Sequence, residues 1–164
     1  MSKKWLVSVL GAAAMATSVG VQAQTGMSPV VPNIYAGLEI GQADIANEDD
    51  IGFKIFGGYQ FTRNIAAEIG YGMLFDKSDV EITALEFVAV GMFPLANQFS
   101  LIGKLGLANV EADSPGGSED KTELTFGIGV QFDVDRNLAV RALWQRYDTE
   151  EELDWLTIGA LWRF

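Results

Sequence analysis

The chain has no cysteine and no histidine among its 164 residues. The first absence excludes a disulfide framework and thiol chemistry. The second removes the side chain most often used as a general base. Basic residues are scarce as well: 11 Lys and Arg stand against 22 Asp and Glu. A balance that acidic repels a phosphate backbone, so nucleic acid is not an expected partner. Long apolar runs are also missing. Beyond the N-terminus none approaches the ~20 residues that a membrane-spanning helix requires.

What is present begins with MSKKWLVSVLGAAAMATSVGVQA, residues 1–23. Two lysines, an apolar run and a small-residue ending are the layout of a secretory signal peptide, with cleavage expected between Ala23 and Gln24. The remaining 141 residues suffice for one domain, and without Lys3 and Lys4 their 9 basic and 22 acidic residues give a net charge of −13. Residues 24–32, QTGMSPVVP, read as an N-terminal linker on the periplasmic side. The rest, 33–164, reads as one domain with no second domain or tail after it.

Period-two alternation of apolar and polar side chains dominates this domain, and no sustained helical pattern competes with it. The alternation predicts strands near 33–42, 51–61, 64–74, 81–93, 98–109, 122–132, 137–147 and 154–164. Each is roughly the length that a tilted strand needs to cross a bilayer. TRN, PLANQ and DVDR are short connections, whereas QADIANEDD, FDKSDV, VEADSPGGSEDK and YDTEEEL are mostly longer and acidic. Short turns at one end and longer loops at the other predict an all-β, eight-stranded antiparallel up-and-down barrel.

Alternation alone leaves open which face is outside, because a soluble ligand-binding barrel turns its apolar face inward. The polar face decides between them. A soluble exterior would be dense in charge, yet this face carries Gly37, Gly41, Gly70, Gly72, Gly106, Ala108, Gly127 and Gly129. Small residues suit the cramped interior of an eight-stranded barrel, so the apolar face is expected to meet lipid. Aromatic residues band accordingly. Tyr59, Phe61, Phe93, Phe99, Phe132, Trp162 and Phe164 lie near the short turns; Phe53, Tyr71, Phe126 and Trp144 lie nearer the long loops. Two such girdles around an aliphatic band mark an outer-membrane barrel. On the inner face the same parity places Glu39, Lys54, Glu68, Glu86, Lys104 and Arg141. Three negatives and three positives in so narrow a space predict ion pairs, assigned as Lys54–Glu39, Lys104–Glu86 and Arg141–Glu68. Lys54 lies high and Glu68 low, so these two are not expected to pair.

GFKIFGGYQF…IAAEIGY, KLGL at 104–107, TFGIGVQFDV…NLAVRALWQRY and the terminal LTIGALWRF resemble the transmembrane domain of outer membrane protein A and its small relatives. The resemblance covers essentially the whole chain after residue 23. It implies that Trp162 and Phe164 belong to a C-terminal signal read by the barrel-assembly machinery. It also implies lumen ion pairs at Glu68, Lys104 and Arg141. The chain departs from the family pattern at Leu143 and Gln131, where acidic residues are frequent, so the family's gating behaviour does not carry over with them. Longer members carry a periplasmic peptidoglycan-binding domain, a role not expected here.

The loops hold most of the acid: Asp44, Glu48, Asp49, Asp50, Asp76, Asp79, Glu81, Glu111, Asp113, Glu119, Asp120, Asp148, Glu150, Glu151, Glu152 and Asp154. They read as a solvated outer rim. No calcium-loop spacing is present, so neither metal nor cofactor is expected. Glycine spacings such as GLEIG fall on strands and carry no nucleotide-binding meaning. The expected function is a structural, envelope-integrity or surface-interaction protein of the outer membrane. A narrow low-conductance pore is the alternative. An enzyme is not expected. The expected partners are outer-membrane lipid, lipopolysaccharide and the assembly machinery, and the expected state is a monomer.

Overall fold

A sheet with one apolar face and two free edges satisfies every backbone group only by closing on itself. The computed structural model shows that closure. It describes residues 29–45, 48–77, 80–148 and 152–164. The expected signal peptide, its Ala23–Gln24 junction and the loop residues Asp79, Glu150 and Glu151 lie outside this set, as do the side chains of Glu48, Asp49 and Asp76. Eight strands, β1 (Asn33–Ile45), β2 (Glu48–Gln60), β3 (Ile65–Lys77), β4 (Val80–Pro94), β5 (Phe99–Ser114), β6 (Gly117–Asp133), β7 (Leu138–Tyr147) and β8 (Leu153–Arg163), follow in chain order. Each pairs antiparallel with its neighbours, and β8 pairs with β1 to complete the barrel.

Side-chain hydrogen bonds shape two of the three turns at the end where the described chain begins and finishes. Thr62 Oγ1 accepts the N–H groups of Asn64 and Ile65 at 3.2 and 3.1 Å. Asp135 Oδ1 accepts those of Asn137 and Leu138 at 2.7 and 2.8 Å. These are the local oxygen-to-backbone bonds that fix Asx and ST turns. Neighbouring turns are also stitched together: Asn64 Nδ2 donates to Met92 O, and Asn137 Nδ2 to Arg163 O, both at 2.9 Å.

The opposite end differs from expectation. VEADSPGGSEDK is no loop: β5 and β6 continue paired up to Ser114↔Gly117, leaving only Pro115 and Gly116 to turn the chain. Gly117 has φ of 135°, a backbone state that favours glycine. Strands β1 to β4 likewise run past their expected ends. A polar loop and a polar strand beyond the membrane have the same composition, so hydropathy could not separate them.

The outward face is one apolar surface. Leu38, Ile55, Ile69, Phe87, Leu105, Ile128 and Ile158 are all well exposed on it. A contiguous apolar surface of this extent is incompatible with water. Its edge toward the hairpin end is drawn by outward polar residues Gln42, Thr83, Asn109, Thr122 and Arg146. On β8 the band runs from Leu156 to Phe164, about 20 Å high for a strand tilted by roughly 40°. Every expected girdle residue is on this outward face: Phe53, Tyr59, Phe61, Tyr71, Phe93, Phe126, Trp162 and Phe164 exposed, and Phe99, Phe132 and Trp144 half-buried against neighbours. The half-buried rings pair across strands, Phe99 with Phe132 at 4.8 Å and Phe126 with Trp144 at 5.9 Å. Phe87, outside both expected girdles, sits within the aliphatic band.

Candidate functional site

The inward face is more than a lining of small residues. Tyr35, Phe56, Ala66, Val88, Val90, Ala139 and Leu161 form a buried apolar layer toward the short-turn end. Ala43, Leu74, Ala84, Ala108, Tyr147, Leu153 and Trp155 form a second one toward the hairpin end. Glycine makes room for the large members. A Cβ on Gly37 would strike the Phe56 ring, and one on Gly58 the Tyr35 ring. Leu74 is the extra residue where the β3–β4 register shifts between Met73 and Phe75, and it is fully buried. The small residues expected on the inner face thus have a packing role: glycine on one strand admits an aromatic ring from the next.

Between these layers lie all six expected charges, Glu39, Lys54, Glu68, Glu86, Lys104 and Arg141, each at most 5% exposed. Glu39 is the hub. Its carboxylate is 3.0 Å from Lys54 Nζ, 3.3 Å from Lys104 Nζ and 3.6 Å from Arg141 Nη1. Glu68 accepts from Arg141 Nη1 at 2.9 Å and lies 2.8 Å from Lys104 Nζ. Glu86 takes Lys54 Nζ at 2.7 Å. The assigned pairs Lys54–Glu39 and Arg141–Glu68 are thus brought together. The assigned Lys104–Glu86 pair is not: Lys104 lies on Glu39 and Glu68, and Glu86 is served by Lys54. Barrel stagger displaces strands along one another, so residues level in sequence are not level in the lumen. Lys54 and Glu68, expected to be unpaired with each other, keep separate partners.

Neutral groups complete the layer, and the sequence reading did not single them out. Gln145 Nε2 donates to Glu86 Oε2 at 2.7 Å and to Thr125 Oγ1 at 2.9 Å, while its Oε1 accepts from Lys54 at 3.1 Å. Tyr147 donates to Glu86 and Tyr35 to Glu68, both at 2.8 Å. Their signal was available: Gln145 and Tyr147 share the parity of Arg141, and Tyr35 that of Glu39. The aromatic layers also face the cations. Arg141 Cζ lies 4.6 Å and Lys104 Nζ 5.3 Å from the Phe56 ring centre, and Lys54 Nζ lies 4.8 Å from that of Trp155. Such contacts add to the ion pairs. Glu39 Oε2 and Glu68 Oε2 are at ion-pair distance from lysines without well-directed hydrogen bonds, so charge rather than bond direction holds them.

Further ion pairs lie away from this layer. Arg163 Nη2 meets Asp133 Oδ1 at 2.6 Å, buried at the short-turn end. Outside, Arg146 grips Asp154 with two bonds of 2.6 and 2.9 Å and approaches Glu152 at 3.4 Å. Among the described residues no group of three or more metal-ligating side chains is arranged to hold a metal ion. The outer acid is instead set in cross-strand register. Glu81 is opposite Asp113, and Glu111 is opposite Asp120.

The profile of a family described as "Outer membrane protein beta-barrel domain" matches residues 11–164. A search of the curated proteins finds no match. Among solved structures, the chain is similar to Ail, the attachment invasion locus protein of Yersinia pestis, at 23% identity and a TM-score of 0.57, over 80% of this chain and 97% of that one. Ail has also been solved in complex with the heparin analogue sucrose octasulfate. The N-terminal β-barrel domain of Pseudomonas aeruginosa OprF aligns at 18% identity and a TM-score of 0.65, over 79% and 97% of the two chains. Neisserial surface protein A aligns at 18% and 0.56, over 80% and 96%. At these identities the likeness is one of fold.

Proposed function

The chain belongs to the outer membrane protein beta-barrel domain family, and from that premise we propose that it is a non-enzymatic envelope-integrity and surface-interaction barrel with a closed lumen. The observation that carries this reading is the stack in the interior. Two apolar layers enclose a charge layer whose six members are engaged with one another. An interior filled in this way supports stability rather than steady conduction, which argues against the narrow-pore reading. It also supports a non-catalytic role, since the buried carboxylates and cations are held by partners and the chain has neither histidine nor cysteine. Function then falls to the outer surface. In this reading the chain is exported through a signal peptide cleaved after Ala23, inserted by the assembly machinery through Trp162 and Phe164, and resident as a monomer in contact with lipopolysaccharide. Its termini and short turns face the periplasm, and its acidic hairpins face outward. Ail's sulfated ligand is a poor guide here, because the acidic ladder of this chain would repel a polyanion.

The test is a deletion strain scored for permeability to detergent and large antibiotics. The strain is complemented with the wild-type gene or with one whose β5–β6 hairpin is trimmed at the membrane edge. Purified protein is recorded in planar bilayers alongside. A permeability defect restored by the wild type, with silent bilayers, supports the reading. Steady conductance and no envelope defect would overturn it.

A further inference from the structure

Seven of the eight strand pairs join strands that follow one another in the chain, so a short connection limits their register. The eighth, β1 with β8, joins the two ends of the barrel and has no such connection. A slip of one residue there would turn Ile158 and Trp162 toward the lumen, which the lipid-facing surface forbids. A slip of two is different, because it keeps every side chain on its own face. The outward residues Ala36, Leu38 and Ile40 would meet one apolar residue of β8 as readily as another. Alternation therefore leaves the closing register open by steps of two residues.

The inward pairs across this seam are not interchangeable. Gly37 faces Leu161, Glu39 faces Gly159 and Gly41 faces Thr157, so each pair sets one glycine against one larger residue. The glycine is required in each. A Cβ on Gly159 would lie 2.6 Å from both Glu39 Cγ and Leu38 O, and one on Gly37 or Gly41 would strike the β8 backbone. Sliding β8 by two residues in either direction opposes Gly159 to Gly37 or to Gly41 and leaves a gap. It also sets Glu39 against Thr157 or Leu161, where a side chain overpacks the seam. On its other side Gly159 faces Arg141. Arg141 of β7, Gly159 of β8 and Glu39 of β1 thus form one row, and Arg141 Nη1 comes within 3.6 Å of the Glu39 carboxylate across the strand between them. One glycine therefore gives an attraction in the native register and a collision in the registers beside it.

We propose that Gly159 is a register notch that selects how the barrel closes. It admits the Glu39 side chain from β1, lets Arg141 of β7 reach that carboxylate across β8, and excludes closure two residues to either side. Glu39 also contacts Lys104 of β5, so closure in this register is what completes the charge layer. The lumen charges then have a second role besides stability: they distinguish the correctly closed barrel from its slipped neighbours. This role does not depend on what the outer surface binds.

The chain has no cysteine, so paired cysteine substitutions report register without background. Leu38→Cys is combined with Ala160→Cys, its native neighbour, and separately with Ile158→Cys or Trp162→Cys, its neighbours after a slip of two. Directly opposite residues lie within disulfide reach, whereas diagonal ones do not. Each protein is folded into phosphatidylcholine vesicles and oxidised with copper phenanthroline, and linked thiols are counted by mass spectrometry. The otherwise unchanged chain is expected to link at position 160 alone. Gly159→Leu with Leu161→Gly moves the notch by two residues at constant composition. Linkage is then expected to pass to position 162, with the native link weakened by about tenfold or more. Gly159→Ala should lower the native link several-fold in favour of slipped ones. Gly103→Ala, on the lipid face where a Cβ meets nothing nearer than 4.0 Å, should leave it unchanged. A moved-notch protein that still links at 160 and not at 162 overturns the notch, and assigns register to the backbone bonds that tie Arg163 to Asn137 and Phe164 to Ile34. If that protein does not fold, Gly159→Ala decides: a native link as strong as in Gly103→Ala overturns the proposal. A weakened native link with no slipped link in its place makes Gly159 a packing residue only and equally overturns it.

Discussion

Replacing Glu68 with glutamine changes one charge and almost no volume in the middle of the lumen. Glu68 Oε1 accepts from Arg141 Nη1 at 2.9 Å and from the Tyr35 hydroxyl at 2.8 Å, and Oε2 lies 2.8 Å from Lys104 Nζ. Each of the two cation contacts is attractive by about 5–6 kcal/mol at an effective dielectric constant near 20. Most of that is offset by the cost of taking the carboxylate out of water. Truncation is costlier than the pair is worth, because Glu68→Gln leaves three cations facing two carboxylates in a buried layer. The expected loss is about 3–5 kcal/mol, two to nearly four orders of magnitude in the folding equilibrium. Glu86→Gln is the internal comparison. Glu86 meets one cation, Lys54 at 2.7 Å, and two neutral donors, Gln145 and Tyr147. Its loss is nearer one charge-assisted hydrogen bond, about 1.5–3 kcal/mol. Adding Lys104→Met to Glu68→Gln restores charge parity, and the two changes should couple by about 0.5–3 kcal/mol toward recovery. Urea titration in lipid vesicles, followed by tryptophan fluorescence, measures the wild type, these three variants and Lys104→Met alone against a common slope. An unmoved midpoint in Glu68→Gln, or a Glu86→Gln loss as large, would refute the tightly paired layer.

Three other outcomes follow from the same geometry. In planar bilayers the wild type and Trp155→Ala remain closed, because the charge layer and the inner apolar layer still fill the lumen; Trp155→Ala with Phe56→Ala, thinning both layers, gives ion conductance above the wild-type record. Ile158→Arg, in the middle of the lipid-facing band, costs about 2–4 kcal/mol, whereas Asn109→Arg at the polar edge costs about 0–1 kcal/mol; equal costs in vesicle unfolding would misplace the band. Asp135 accepts the N–H groups of Leu138 and Asn137, which hold its carboxyl below the usual aspartate range. Such a group adds stability above its unfolded-state pKa that is lost as pH falls through the lowered one. Carbon-detected NMR titration should therefore find the Asp135 midpoint below that of an ordinary aspartate.

The sequence by itself determined the alternation, the face that meets lipid, the outward placement of the aromatic residues and the six inward charges. All of these depend on side-chain parity along one strand, a local property with a period of two residues. Glu39, Lys54, Glu68, Glu86, Lys104 and Arg141 were legible because a charge on the inner face of a narrow barrel is conspicuous. Tyr35, Gln145, Tyr147 and Trp155 carried the same parity but nothing to set them apart from packing residues. Tertiary structure alone decided which charges meet. Lys104 passes over Glu86 for Glu39 and Glu68 because the stagger of the closed barrel, not position within a strand, fixes height in the lumen. It also decided that VEADSPGGSEDK is hairpin rather than loop, since beyond the membrane a polar strand and a polar loop read alike. That β6 extends past the last residue of β7 paired with it among the described residues is the same kind of fact, a relation between two strands that neither strand's sequence contains.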